Sequence, residues 1–154
     1  MPVYVAVVGP GDGATEAETD AARQVGRLLA ERGVIVVCGG LGGVMAAACE
    51  GAAERGGLTV GLLPGAERDE GNPYLTVALP TGIGELRNGL IVRACDAMIA
   101  IGGSWGTLSE IALAKRTGKP VITLNGWTID GQLDTAARSP EEAVTQALSK
   151  APGR

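Results

Sequence analysis

Apolar runs and amphipathic stretches alternate from one end of the chain to the other. Val3 to Val8 is a nearly unbroken apolar run, which suits a parallel strand covered on both faces. A helix follows: Thr15 and Glu18 have capping-box spacing, Ala17, Ala21, Val25, Leu28 and Leu29 share one face, and Gly33 supplies a stop. Val34 to Val37 reads as a second strand and the alanine-rich segment Val44 to Glu54 as a second helix ended by Gly56 and Gly57. Leu58 to Leu63 is a third strand and Leu75 to Leu79 a fourth, separated by a polar segment, 64–73, bounded by prolines. That segment is either a lid over a site or an ordinary solvated loop. The spacing of Ile83, Leu86, Leu90, Ile91 and Ala94 predicts a third helix with those residues inward, running to about Cys95. Ala97 to Ile101 is a fifth strand, and a fourth helix runs on to Arg116, stopped by Gly118 and Pro120. Val121 to Leu124 is a sixth strand. The stretch through Ala137 has no clear pattern, and Ser139-Pro140-Glu141-Glu142 starts a last helix reaching about Lys150.

Strands alternating with helices are the mark of an α/β fold: a Rossmann-like, doubly wound parallel sheet with helices on both faces, wound by right-handed crossovers. Without an internal repeat or linker, residues 1–154 are expected to form one nucleotide-binding domain. In the common six-strand order the first and fourth strands are neighbours at the switch point, and ligands bind beyond the strands' carboxyl ends. Three glycine-rich turns, at Gly9 to Gly13, Gly39 to Gly43 and Gly102 to Gly106, are expected to converge there with Thr81-Gly82.

The third turn, Ile101-Gly102-Gly103-Ser104-Trp105-Gly106-Thr107, joins a buried strand to a helix start. Its glycines allow close backbone approach, and the first N–H groups of the helix lack intrahelical partners, a combination that favours phosphate.

Composition narrows the chemistry. The 154 residues are 45% apolar, with two Trp, two Tyr and no Phe, so the core must be aliphatic. A net charge of -4 and the absence of basic runs argue against nucleic-acid binding. No apolar stretch approaches a membrane span and nothing near the N-terminus reads as a targeting signal, so a cytoplasmic location is expected. Cys38, Cys49 and Cys95 are odd in number and widely spaced, which suits buried free thiols. The lack of histidine removes imidazole chemistry and most zinc sites; neither a metal nor a cofactor is expected.

Two standard nucleotide motifs are missing. Gly9-Pro10-Gly11-Asp12-Gly13-Ala14 does not have G-x-G-x-x-G spacing, and Cys38 stands where a dinucleotide fold places an acid for ribose. The Gly118-Lys119 pair precedes Pro120 and not Ser or Thr, so there is no P-loop.

Two charged residues carry the candidate chemistry. Arg87, near the start of the third helix, can reach the strand ends, whereas Arg93 lies about 9 Å further down the axis. A guanidinium fork suits phosphate, the alternative being a surface ion pair. Glu110 either completes a capping box with Thr107 or, ionised by the helix dipole, orients water or binds ribose hydroxyls. Trp105 could stack on a base or sit at a subunit contact. Ser104 and Thr107 can bond phosphate or serve as turn and cap residues.

Arg87, the run Asp96-Ala97-Met98-Ile99-Ala100-Ile101-Gly102-Gly103, and Gly106-Thr107-x-x-Glu110 together resemble the LONELY GUY (LOG) phosphoribohydrolases and their superfamily, often labelled "possible lysine decarboxylase". The resemblance spans nearly the whole chain. Gly39-Gly40-Leu41-Gly42-Gly43-Val44-Met45 is similar to the family's G-G-x-x-G-[LV]-M segment, and Gly103 to Glu110 to its P-G-G-x-G-T-x-E-E. The resemblance implies a Rossmann-like domain, a homodimer or tetramer with sites near the subunit interface, and hydrolysis of the N-glycosidic bond of a nucleoside 5′-monophosphate. It makes Arg87 and Glu110 the catalytic pair. Gly9, Gly11, Gly39, Gly40, Gly43, Met45, Thr81, Gly82, Gly102, Gly103, Ser104, Trp105, Gly106 and Thr107 become the ligand and phosphate site. Lysine decarboxylation is not expected, since Lys115, Lys119 and Lys150 sit at helix ends or in the tail.

The departures matter as much. The family's Pro is Gly102 here, its next-but-one Gly is Ser104, the first of its two glutamates is Ser109, and the Lys after its arginine is Asn88. These resemble a small-protein branch of the superfamily that includes molybdenum cofactor carrier proteins. Hydrolysis of a nucleoside monophosphate is the leading expectation, and a non-catalytic carrier or sensor of a phosphorylated heterocycle the rival.

Overall fold

The computed structural model describes residues 1–129 and 135–152. Its strands are β1 (Tyr4–Val8), β2 (Ile35–Cys38), β3 (Thr59–Leu63), β4 (Val77–Pro80), β5 (Ala97–Ile101), β6 (Val121–Leu124) and β7 (Ala136–Ala137). Its helices are α1 (Glu16–Glu31), α2 (Val44–Glu54), α3 (Asn88–Ala94), α4 (Trp105–Arg116) and α5 (Pro140–Lys150). All seven strands pair in parallel in the order β4-β3-β2-β1-β5-β6-β7. The α/β fold with helices on both faces is therefore present, with one strand more than the six expected. Part of the patternless stretch before Ala137, residues 130–134, lies outside the described residues.

The apolar strands divide their side chains between two cores. Val5 and Val7 of β1 join Val36, Ile99, Ile101 and Ile122 against α1, α2 and α5. Ala6 and Val8, one residue out of phase, join Val37, Met98 and Ala100 against α3 and α4. This period of two within a continuous run is what a doubly covered parallel strand requires. On the first face α1 and α2 are in close contact because Gly26 and Gly51 leave no room for a Cβ against the facing backbone carbonyls of Ala48 and Arg23.

The expected pairing of the first and fourth strands is incorrect. The connection from β3 to β4 contains only a 3-10 turn, Arg68–Glu70, and β4 simply extends the β3 edge. The chain returns to the other side of β1 only after α3, so the switch point falls between β1 and β5. Their carboxyl ends carry the first and third glycine-rich turns.

The third helix also differs. A 3-10 turn, Gly84–Arg87, precedes a short α3, and Asn88, Ile91 and Val92 are the residues it buries, whereas Ile83, Leu86, Leu90 and Ala94 are exposed. Three residues per turn breaks the 3.6-residue phase on which the expected face rested. Arg87 is turned inward instead.

Candidate functional site

At the switch point lies a cavity of about 280 Å³ lined by residues from all three glycine-rich turns and from the start of α3. Of the residues expected at a site, Gly9, Gly11, Gly39, Met45, Arg87, Ser104, Gly106, Thr107 and Glu110 line it. The others do not line it. A Cβ at Gly40 would meet Leu63, at Gly43 the carbonyls of Pro10 and Gly11, at Gly102 the Glu18 carboxylate, and at Gly103 the Trp127 indole. Thr81 and Gly82 are tied to the β3 side, with Thr81 Oγ1 donating to Leu63 O at 2.7 Å and the Gly82 amide to Gly65 O at 2.9 Å. That follows from β4 lying at the sheet edge. Sequence reasoning missed Val8, Leu41, Pro64, Glu85 and Asn88 as lining residues; Leu41 carried a signal within the second glycine-rich turn, Pro64 at the start of the segment read as a lid or a loop, and Asn88 as a departure from the family pattern.

Arg87 is only 8% exposed. Its Nε donates to Leu62 O at 2.8 Å, its Nη2 to Gly39 O at 3.4 Å and its Nη1 to Asn88 Oδ1. A guanidinium has five N–H donors; these bonds engage three and leave two uncommitted among the described residues. The surface ion-pair alternative is thereby excluded. Gly39 owes its identity to this arrangement, since a Cβ there would stand 2.6 Å from Arg87 Nη2 and 2.9 Å from Met45 Sδ.

The third turn begins its helix earlier than a cap at Thr107 requires. Ser104 is the N-cap: its Oγ accepts from the Thr107 amide at 3.2 Å and bonds Thr107 Oγ1 at 2.8 Å. Glu110 therefore lies beyond the first turn of α4, and its capping-box reading is overturned. Nor does the helix dipole hold Glu110 ionised, because that effect is confined to the first turn. Burial dominates, pushing the Glu110 carboxyl up to about 7 from an ordinary 4.5, with Arg87 opposing the rise.

Gly102 explains one departure from the phosphoribohydrolase pattern. Its φ of +69° is inaccessible to proline, whose ring fixes φ near −65°. Trp127 braces the same turn, with its Nε1–H donating to Ser104 O at 2.9 Å and its ring 5.3 Å from that of Trp105, tilted by 45°. Trp105 itself is 78% exposed and lies outside the cavity in an apolar groove with Leu86, Gly89 and Leu113. Glu85, Asn88 and Gly106 line both cavity and groove, so the two adjoin.

The three cysteines are free and buried. Cys38 and Cys49 touch, Sγ to Sγ, at 3.5 Å; that hydrogen bond and burial hold the Cys38 thiol well above its ordinary range. Burial pushes the Cys95 thiol up to about 11, which suits a packing role and not a nucleophile. No group of His, Cys, Asp or Glu that could hold a metal ion occurs among the described residues. Among those residues, too, no helix is long and apolar enough to cross a membrane.

The sequence profile of the family described as "SLOG cluster4 family" matches residues 2–151. Among solved structures, the chain is similar to the molybdenum cofactor binding protein from Rippkaea orientalis, with 35% identity, 97% of each chain covered and a TM-score of 0.90. It is also similar to the molybdenum cofactor carrier protein of Chlamydomonas reinhardtii, with 30% identity, 97% of this chain and 100% of that one covered, and a TM-score of 0.87. A probable cytokinin riboside 5′-monophosphate phosphoribohydrolase from Oryza sativa subsp. japonica is 32% identical over 87% of this chain, which spans 57% of that relative's length.

Proposed function

The chain belongs to the SLOG cluster4 family, and within it we propose that this protein is a non-catalytic carrier or sensor of a phosphorylated heterocycle, such as molybdenum cofactor. One observation carries this reading: the likeness to molybdenum cofactor-binding structures extends over nearly the full length of both chains. The order of the two expectations is thus reversed, the carrier coming before the hydrolase. The two uncommitted N–H donors of Arg87 and the backbone of the glycine-rich turns would hold the phosphate. The heterocycle would extend towards the apolar groove and Trp105. The free thiols fit a cytoplasmic protein.

The second reading, hydrolysis of a nucleoside 5′-monophosphate, is favoured by Glu110. A buried carboxyl near 7 can give a proton to a departing base in one state and position water in the other, while opposing positive character on the ribose. Arg87 would hold the ribose phosphate. Assembly as a homodimer or tetramer is part of the proposal. It is supported by Leu86, Leu90, Trp105 and Leu113, which leave an exposed apolar face beside the cavity.

Incubating the protein with nucleoside 5′-monophosphates and with a phosphorylated pterin, then following thermal unfolding and release of free base by chromatography, tests both readings. The carrier reading expects a raised unfolding midpoint with no base released. Released base would establish the hydrolase instead. If no phosphorylated heterocycle shifts the midpoint, the carrier reading fails.

A further inference from the structure

Asn72 lies in the polar segment after β3, where the sequence allows either a lid or a plain loop. It is bonded to the second glycine-rich turn at two successive carbonyls. Its backbone N–H donates to Gly40 O at 2.8 Å and its Nδ2 to Leu41 O at 3.1 Å. The remaining side-chain atom, Oδ1, accepts from the Tyr74 amide at 3.0 Å, which fixes the orientation of the side-chain amide. From the other side, Arg87 Nη2 holds Gly39 O. Three consecutive carbonyls of the turn are thus tied to residues outside it.

The consequence follows from peptide geometry. No peptide bond here is cis, and in a trans peptide the C=O and the following N–H point in opposite directions. Turning Gly40 O and Leu41 O towards Asn72 therefore turns the N–H groups of Leu41 and Gly42 away from it. The Gly40 amide donates to Cys38 Sγ at 3.3 Å, but among the described residues nothing accepts from Leu41 or Gly42. Leu41 lines the cavity beside Arg87. Successive backbone N–H groups held in this way form an anion-binding concavity.

We propose that Asn72 is a positioning residue for anion binding: by gripping the carbonyls of Gly40 and Leu41 it presents the Leu41 and Gly42 amides to the phosphate of the ligand. The proposal rests on the phosphate-binding reading of the cavity. It assigns segment 64–73 a function other than a lid, namely that of a strut behind the turn.

The test uses the full chain, isotopically labelled, titrated with inorganic phosphate and with adenosine 5′-monophosphate while amide resonances are followed. In the wild-type protein the Leu41 and Gly42 amides should shift with saturation. In Asn72→Ala, which keeps the backbone bond to Gly40 O but loses the bond to Leu41 O, phosphate affinity should fall about tenfold. Adenosine, lacking the phosphate, should bind both proteins equally. Asn72→Asp, which keeps the acceptor for the Tyr74 amide, gives a second variant and should lose at least as much. Glu70→Ala, in the same segment, should leave phosphate affinity unchanged. The proposal is overturned if the two amides do not respond in the wild type. It is equally overturned if they respond with unaltered affinity in Asn72→Ala, or if Glu70→Ala weakens phosphate as much. The carrier reading fails separately, if phosphorylated heterocycles bind no more tightly than inorganic phosphate.

Discussion

Asn88 Nδ2 donates to Ser109 Oγ at 3.4 Å, joining the start of α3 to the second turn of α4 beside the cavity. These are the two positions at which the phosphoribohydrolase pattern has a lysine and a glutamate. Here a neutral pair occupies the site of a charged one, and both departures are one local change. Asn88 also accepts from Arg87, and Ser109 Oγ donates to Gly106 O at 2.7 Å, so the pair links the cavity's arginine to the third glycine-rich turn.

The pair should be energetically coupled. Asn88→Lys sets a second cation against the buried Arg87, and Ser109→Glu adds an acid that would accompany it. Each single substitution is expected to destabilise, and the double variant to recover part of the loss. A coupling of about 1 kcal/mol is expected from a double-mutant cycle in urea. Additive effects would show that the two positions are not coupled.

Glu110 should make stability depend on pH in a defined direction. Its folded pKa, about 7, exceeds its ordinary 4.5. Between these values the unfolded chain releases the proton and the folded chain keeps it, so stability falls as pH rises through the window and levels off above it. Glu110→Gln removes this term. At pH 8 the variant should be more stable than wild type by up to about 3 kcal/mol, at roughly 1.4 kcal/mol per pH unit, and at pH 4 nearly equal to it. Urea unfolding at the two pH values decides the matter; equal stability at pH 8 would mean that Glu110 ionises in the folded protein without a penalty.

Gly39→Ala should impair binding more than folding. The added methyl group meets flexible side-chain ends, Arg87 Nη2 and Met45 Sδ, which can yield at the cost of their placement. Affinity for adenosine 5′-monophosphate should drop at least tenfold, with about 1–2 kcal/mol of stability lost. Calorimetric titration alongside thermal unfolding separates the two effects, and unchanged affinity would remove Arg87 from the binding site.

Trp127→Phe keeps an aromatic ring near Trp105 but deletes the Nε1–H donor to Ser104 O. About 1 kcal/mol of stability should be lost. The first turn of α4 should also exchange its amide hydrogens faster, which hydrogen-exchange mass spectrometry can resolve. An unchanged exchange rate would show that the capping by Ser104 suffices without the indole.

The sequence by itself determined the parallel α/β class, because runs such as Val3 to Val8 can be satisfied only by burial on both faces. It also determined the helix starts at Thr15 and Ser139, where cap and third residue lie close in the chain. It brought Arg87, Glu110 and three glycine-rich turns to one end of the sheet, since those turns all follow strands. Tertiary structure alone decided the strand order. Whether β4 lies beside β1 or at the edge depends on which side the chain passes after β3, and no local pattern encodes that. It likewise decided that Arg87 is inward and Leu86 exposed, because a 3-10 turn shifts the helical phase. The protonation of Glu110 belongs to the same class: the residue is a helix-start carboxylate by spacing, but burial beyond the first turn sets its charge. Asn72 is the plainest case, a polar residue in a polar loop whose partners, Gly40 and Leu41, are some thirty positions away and meet it only once the sheet has formed.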